Sequence, residues 1–388
     1  MRKVVTSIAT GIFLTVYFSL VGVAQTTTVI TTGLNRPTKV ISGPRGSLLV
    51  SEAGAFSPNT GRVVVIDRNT GVMHPLITGL PSAVDNLSGP PDPDGTTAIL
   101  LEGQSLYIVS GVGDAVTNIG GAQVPTGTDS SPIFNSVLQV FLPPHFESLH
   151  SEFHMTIDDQ NDLARGRWVW IRNAEGRSII VRLVVNMPDY KPEPTPTHPD
   201  AVRSAHLYGI DSFGWYLYVA DASYNMVYRI NKFTGHATVL AEMPTRPNPL
   251  FGTIGGPTVE AVPDNVRRLG RKLLIPELTG FPFVAGLADV KAVDMRTGEQ
   301  STIISGLASA MDVLPVEEPD CRTGYYALEF SANQLGGAPG RLRYFAADGS
   351  VSVIAPALAT PTSMFRDERT GSFFVTNIFP GTITRIDP

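Results

Sequence analysis

Apolar and polar positions alternate along most of the chain in short runs separated by Gly, Pro, Asn and Asp, the period-two pattern of strands with a buried face. One run returns six times: SLLVSE (47–52), SLYIVS (105–110), YLYVAD (216–221), KLLIPE (272–277), YYALE (325–329) and SFFVTN (372–377). A glycine precedes each, at Gly46, Gly103, Gly214, Gly270, Gly324 and Gly371, and gives the backbone freedom that a tight hairpin requires. Each run therefore reads as the second strand of a hairpin. A further run follows most copies and closes on Thr-Gly or Asp-Gly, as in GRVVVIDRNTG (61–71), NMVYRINKFTG (225–235) and DVKAVDMRTG (289–298). Another comes after it, as in HPLITGL (74–80) and STIISGL (301–307). With the apolar segment before each glycine, such as PTKVIS from Pro37, the unit has four strands, and six units predict an all-β, six-bladed β-propeller.

The ends of the chain fit a closed ring. The last repeat stops after its third strand at Pro388, whereas TTTVITTGL (26–34) reads as a strand with no repeat before it. The N-terminal strand is expected to complete the sixth blade, which removes an exposed sheet edge. Residues 25–388 then make one propeller domain. Only the second repeat is irregular, and it alone leaves room for a seventh blade. Its insertion, 143–200, reads as a short helix within HFESLHSEFHMTIDDQNDLARG, a hairpin turning at Glu175 and Gly176, and a proline-rich connector. It is expected to project from the propeller rim.

Arg2 and Lys3 precede an uncharged apolar run that ends on small residues at Gly22 and Ala24, a secretory signal pattern with cleavage after Ala24. The remaining chain is expected to be exported, periplasmic or extracellular, monomeric, and without a membrane span. The net charge is -6 with no Lys/Arg cluster, which speaks against nucleic acid and anionic membrane surfaces as partners. Cys321 is the sole cysteine, so no intramolecular disulfide is available and packing must hold the fold. The 37 Gly and 31 Pro, with only 16% charged residues, suit short strands and turns better than long surface helices.

The repeated runs end on Glu52, Asp221, Glu277, Glu329 and Asn377, with Asp114 as a stand-in near the second. If the second strands run in parallel around an axis, these residues share one face. They are candidates for binding a cation or an amine, or else for accepting backbone hydrogen bonds in every blade. An aromatic pair, Phe281 and Phe283, follows Glu277 in a loop, where it would plug the opening or cover a ligand. No catalytic residue stands out and no cofactor is called for, a divalent cation at the carboxylates being the one candidate.

A gluconolactonase-type hydrolase would place a cation near the starts of the innermost strands. There the chain offers Thr38, Tyr208, Thr258, Met311 and Thr362, with only Asp211 and Asp312 as nearby carboxylates, a poor oxygen cage for a hard cation. His145, His150 and His154 lie close to Glu147 and Glu152, and a helix would put His150 and His154 on one face. They lack a spaced third ligand, and a solvated polar insert is the expected reading. DPDG (92–95) reads as a turn rather than a calcium loop, and Cys321 sits in a surface turn.

GLNRPTKV (33–40), GSLLVSEAG (46–54), YLYVADASYNMVYRI (216–230) and above all GGPTVEAV (255–262) with LLIPELTGFPFVAGLADVKAVD (273–294) resemble the ScyD/ScyE family of exported propeller-type proteins. The resemblance covers most of 29–142 and 201–388 and departs at 143–200. It implies an exported six-bladed propeller linked to a secondary metabolite or to the cell envelope, and no settled reaction. The combined expectation is a binding module that captures a small metabolite, a peptide or an envelope protein on one propeller face, with a metal-dependent lactonase as the alternative.

Overall fold

The computed structural model describes residues 25–87 and 89–388, so the signal segment 1–24 lies outside the described residues. Each repeated run forms the second strand of its own antiparallel sheet, and six such sheets stand around one axis as a β-propeller. Blade 1 holds Pro37–Ser42, Ser47–Glu52, Gly61–Asp67 and Met73–Leu80, and blade 2 holds Thr96–Glu102, Ser105–Ser110, Ser136–Phe141 and Ser178–Asn186. Blade 3 runs Leu207–Phe213, Tyr216–Asp221, Met226–Asn231 and Ala237–Glu242, and blade 4 runs Arg267–Leu269, Lys272–Pro276, Ala288–Asp294 and Gln300–Leu307. Blade 5 comprises Ala310–Glu317, Thr323–Glu329, Gly340–Phe345 and Val351–Leu358. Blade 6 comprises Pro361–Arg366, Phe373–Asn377 and Thr382–Asp387, completed by Thr26–Thr31 as its outermost strand.

The second strands are apolar on both faces because each blade is sandwiched between two others. In blade 4, Leu273 and Ile275 pack toward Tyr218 and Val227 of blade 3, while Leu274 between them packs toward Val313 and Ala327 of blade 5. The same arrangement closes the ring, where Val40 and Leu48 of blade 1 meet Phe374 and Ile383 of blade 6. One hairpin departs from the expected chemistry: Gly324 lies within its strand, and Cys321 at φ 63 takes the left-handed turn position.

The insertion does not project. Phe153–His154 adds in parallel to the outer edge of blade 1, pairing with Ile77 and Thr78. Helix α1 (Ile157–Ala164) follows, opened by a capping box between Thr156 and Asp159. Val169–Arg172 then pairs with Ser178–Asn186, which is itself the fourth strand of blade 2. Sheet edges carry unpaired backbone groups, and this segment covers two of them while burying Phe153 and Leu163 in the core shared by blades 1 and 2. The expected helix lies in the second half of its stretch, leaving the histidines outside it. Among the described residues no helix is long and apolar enough to cross a membrane.

Ring closure rests on close backbone contact. Gly71 sits at φ 73 with its Cα against the closing strand, where an added Cβ would stand 1.8 Å from the Ile30 carbonyl oxygen. Thr31 reinforces this by donating its hydroxyl to the Gly71 carbonyl at 3.0 Å. Gly349, at φ 89, faces open space. Gly71→Ala is therefore expected to destabilise the protein by about 3 kcal/mol and Gly349→Ala by about 1 kcal/mol in chemical denaturation, since only the first adds a clash to the backbone cost. Equal losses would show that the closing strand contributes nothing at Gly71.

Candidate ligand cavity on one propeller face

All innermost strands begin, and all second strands end, at the same face of the ring, so the long connections between blades gather there. Several fold into two-stranded ribbons: Ala83–Asp85 with Asp92–Asp94, Val116–Ile119 with Ala122–Pro125, and Tyr190–Pro192 with Val202–Ser204. Together with the 278–283 and 330–334 loops they enclose a cavity of about 1160 Å³. DPDG thus contributes a strand, not only a turn.

The strand-end residues expected to bind ligand do not reach this cavity. Glu52, Asp221, Glu277, Glu329 and Asn377 are all buried, and none lines it. Glu52 accepts from the Asn35 amide at 2.8 Å and from Arg62 at 2.5 Å. Asp221 accepts from the His206 and Tyr224 amides at 3.1 and 2.9 Å. Glu277 is paired with Arg246, and Glu329 takes the Ala308 amide at 2.7 Å together with Arg341 and Arg343. Asn377 donates to Thr382 and Thr384. Glu52, Asp221 and Glu329 thereby anchor the chain as it enters their blades, the architectural alternative raised by the repetition, whereas Glu277 pairs with an arginine and Asn377 with threonines of its own blade. Asp114 likewise receives the Ser130 amide at 2.9 Å.

Phe281 and Phe283 do line the cavity, and they also pack edge to face against each other with ring centres 6.0 Å apart. Phe330 and Phe379 form a second edge-to-face pair at 6.2 Å and border the same space. The Phe281 loop is held by an irregular ribbon in which the amides of Leu278, Thr279 and Gly280 donate to the carbonyls of Val262, Ala261 and Glu260 at 2.9, 3.0 and 3.0 Å. Val262, Thr279 and Phe283 take positive φ values of 52, 70 and 54, all on the cavity wall. Two of these are β-branched, for which the left-handed region is strained, and such strain gathers at binding sites.

The cavity region also holds polar groups that the sequence reading missed. His206 stands at the entry of blade 3 with Nε2 3.3 Å from Oδ1 of Asp94, a charge contact without an aligned hydrogen bond. Burial works against the imidazolium, yet the Asp94 carboxylate, helped by Asp85 and Asp221, raises its pKa to about 9. The Tyr208 ring packs edge-on to His206 at 5.7 Å. Asp264, at the entry of blade 4, is only 4% exposed, and its Oδ2 has no hydrogen-bond partner among the described residues. Burial pushes its pKa up to about 8 against the opposing charge of His206. Asp264 escaped notice because the innermost strand of blade 4 is only RRL, whose polarity hides it, whereas the more apolar GPTVE belongs to the ribbon Arg246–Pro247 with Thr258–Val259.

At the lactonase-type positions Tyr208, Met311 and Thr362 border the cavity, Thr38 is buried and bonded to Thr96, and Thr258 is exposed in its ribbon. Asp312 is engaged by Arg267 at 2.9 and 2.6 Å and by the Met364 amide at 3.0 Å, and Asp211 accepts the Arg268 amide at 2.7 Å. Both carboxylates are thus occupied in joining blades. The histidine cluster disperses: His145 meets Arg45, the His150 amide donates to Glu175, and His154 contacts Thr78 from its strand. Among the described residues no group of three His, Cys, Asp or Glu side chains converges in a metal-binding arrangement.

No protein-family model and no curated protein matches the chain. The fold is similar to a solved protein of unknown function from Bacteroides thetaiotaomicron, at TM-score 0.50 and 12% identity over 94% of this chain and 76% of that one. An auxiliary nutrient binding protein from the same organism superposes at TM-score 0.49 and 10% identity, covering 93% of this chain and 76% of its own. A gluconolactonase from Xanthomonas campestris gives TM-score 0.46 and 10% identity over 94% and 89% of the two chains. Likeness at such identities bears on the fold alone. The fold is a six-bladed β-propeller.

The His206 pair makes a pH prediction. Its pKa in the fold, about 9, exceeds the ordinary histidine value of about 6.5, so its stabilisation is complete below about pH 6.5 and is lost as pH rises through 9. The protein should exceed its His206→Gln variant in unfolding free energy by roughly 2 kcal/mol near pH 6, with the gap closing by about pH 10. A gap independent of pH would show that His206 is not charged in the fold.

Proposed function

We propose that the protein is an exported binding module that holds a small organic molecule in the cavity at the connector face. The observation that carries this reading is the cavity itself. Its volume of about 1160 Å³ is ample for a small molecule, and its lining combines two aromatic pairs with a few polar groups. The ScyD/ScyE resemblance of the ELTGFPF segment agrees with it, because that segment supplies one of the aromatic pairs. Export rests on the signal pattern at 1–24.

Phe281 is 54% exposed, so truncating it removes little core packing. The double variant Phe281→Ala, Phe283→Ala should bind a neutral aromatic probe such as N-phenylnaphthylamine roughly tenfold more weakly, measured by fluorescence titration, while keeping its unfolding transition. Probe binding that is absent, or indifferent to both rings, would remove the basis for this function; loss of folding would assign the rings to the core.

A further inference from the structure

Charge is distributed unevenly around this cavity. Five carboxylates line it: Asp85, Asp92, Glu193, Glu260 and Asp264. Asp92 is matched by Arg36 at 2.6 Å and Glu260 by Arg203 at 3.3 Å. The charge of His206 is matched by Asp94 from behind. Asp85, Glu193 and Asp264 have no cationic side chain in salt-bridge contact among the described residues. Asp264 is nine-tenths buried or more and leaves an oxygen unpartnered, and the fully buried Thr279 hydroxyl, also on the wall, is unpartnered too. Buried polar atoms left unsatisfied cost about 1–3 kcal/mol each, so a ligand that reaches them recovers that cost.

The apolar part of the lining mixes aliphatic side chains, among them Leu87, Val202, Leu278 and Ile378, with a group of aromatic ones. Tyr208, Phe281, Phe283, Phe330 and Phe379 are the aromatic residues on its wall. Aromatic faces carry negative quadrupole charge and attract cations, an attraction that strengthens out of water. Unmatched carboxylates and aromatic walls select the same ligand chemistry.

We infer that the cavity binds an organic ammonium compound, its protonated nitrogen against Asp264 and the Tyr208 ring and its apolar body between the phenylalanine pairs. This deepens the binding-module reading and rests on it. A neutral hydroxyl compound would satisfy Asp264 and Thr279 but leave the excess negative charge unused. An anion would face the carboxylates of Asp85 and Glu193. Proton linkage follows from the same geometry. Burial holds the Asp264 carboxyl largely protonated at neutral pH, with His206 the charged neighbour acting on it, and Tyr208 beside His206 raised by burial and by Asp264. An ammonium group arriving there restores the carboxylate, so binding near pH 7 releases a proton.

The test compares three probes of one shape, phenethylammonium, phenylethanol and phenylpropanoate, by saturation-transfer NMR and calorimetry on the full exported chain, with N-phenylnaphthylamine as the reference for the cavity. Phenethylammonium is expected to bind at least tenfold more tightly than the other two and to release a proton, seen as an enthalpy that changes with buffer ionisation heat. Asp264→Asn should reduce its affinity about tenfold and abolish the proton release, with a smaller loss for the uncharged N-phenylnaphthylamine and an unfolding transition that shows the variant folded. If the naphthylamine binds but phenethylammonium shows no preference, or Asp264→Asn does not alter that preference, the ammonium inference fails and the binding module stands. If no probe binds, both fail together.

Discussion

Everything on the connector face depends on a belt of hydrogen bonds at the propeller axis that fixes each innermost strand to the next. The Thr38 hydroxyl of blade 1 donates to the Thr96 carbonyl of blade 2 at 2.9 Å, and Thr97 of blade 2 donates to the Leu207 carbonyl of blade 3 at 2.9 Å. Asp211 of blade 3 accepts the Arg268 amide of blade 4, and Arg267 of blade 4 grips Asp312 of blade 5 with two bonds. Asp312 accepts the Met364 amide of blade 6 at 3.0 Å, and Thr362 returns to the Pro37 carbonyl of blade 1 at 3.1 Å. Lys39 crosses the axis from blade 1 to Asn265 at 2.7 Å. Apolar packing between blades is non-directional and tolerates sliding; charge-assisted bonds with defined geometry do not. The belt therefore sets the register in which six similar sheets meet.

A fixed axis separates two jobs that the same residue types could do. Carboxylates at the ends of three second strands tie a blade entrance to its own hairpin, Glu52 through Asn35, Asp221 through His206 and Glu329 through Ala308. These and Glu277 are buried, and each is engaged by a backbone amide or an arginine, although Glu52 and Glu277 each keep one oxygen without a hydrogen-bond partner. The cavity lining is left mostly to the connectors, which lie outside the blade ladders. That is why His206, Asp264 and the phenylalanines sit at entrances and in loops rather than within strands.

The repeat was legible because each blade must bury both faces of its second strand, and this forces the same apolar run with the same upstream glycine six times. Closure was legible because one strand was missing at one end and spare at the other. The cavity was not. Its residues come from irregular segments between repeats, where no period marks them, and His206 and Asp264 lie far apart in sequence. Blade 4 shows the limit most clearly: with an innermost strand of only Arg267–Leu269, its entrance was assigned to the more apolar segment upstream. Phe281 and Phe283 were found because two aromatics in a loop break the expectation that loops are polar. The strand-end acids drew attention for their regularity, which marked an architectural task.

Asp264 connects these themes. An unpartnered carboxyl buried at a blade entrance is a cost that packing alone would remove, since Asn or an apolar residue fits the same volume. The neighbouring backbone adds to it, with β-branched Val262 and Thr279 both held at positive φ. The axial belt can carry both because its bonds to Asn265 and Arg267, one and three residues further on, pin the segment independently of what Asp264 does. A rigid ring thus lets a few loop residues remain unsatisfied in the free protein. In the proposed binding module those polar atoms gain partners on contact with a ligand, which gives a static scaffold selectivity without a moving part.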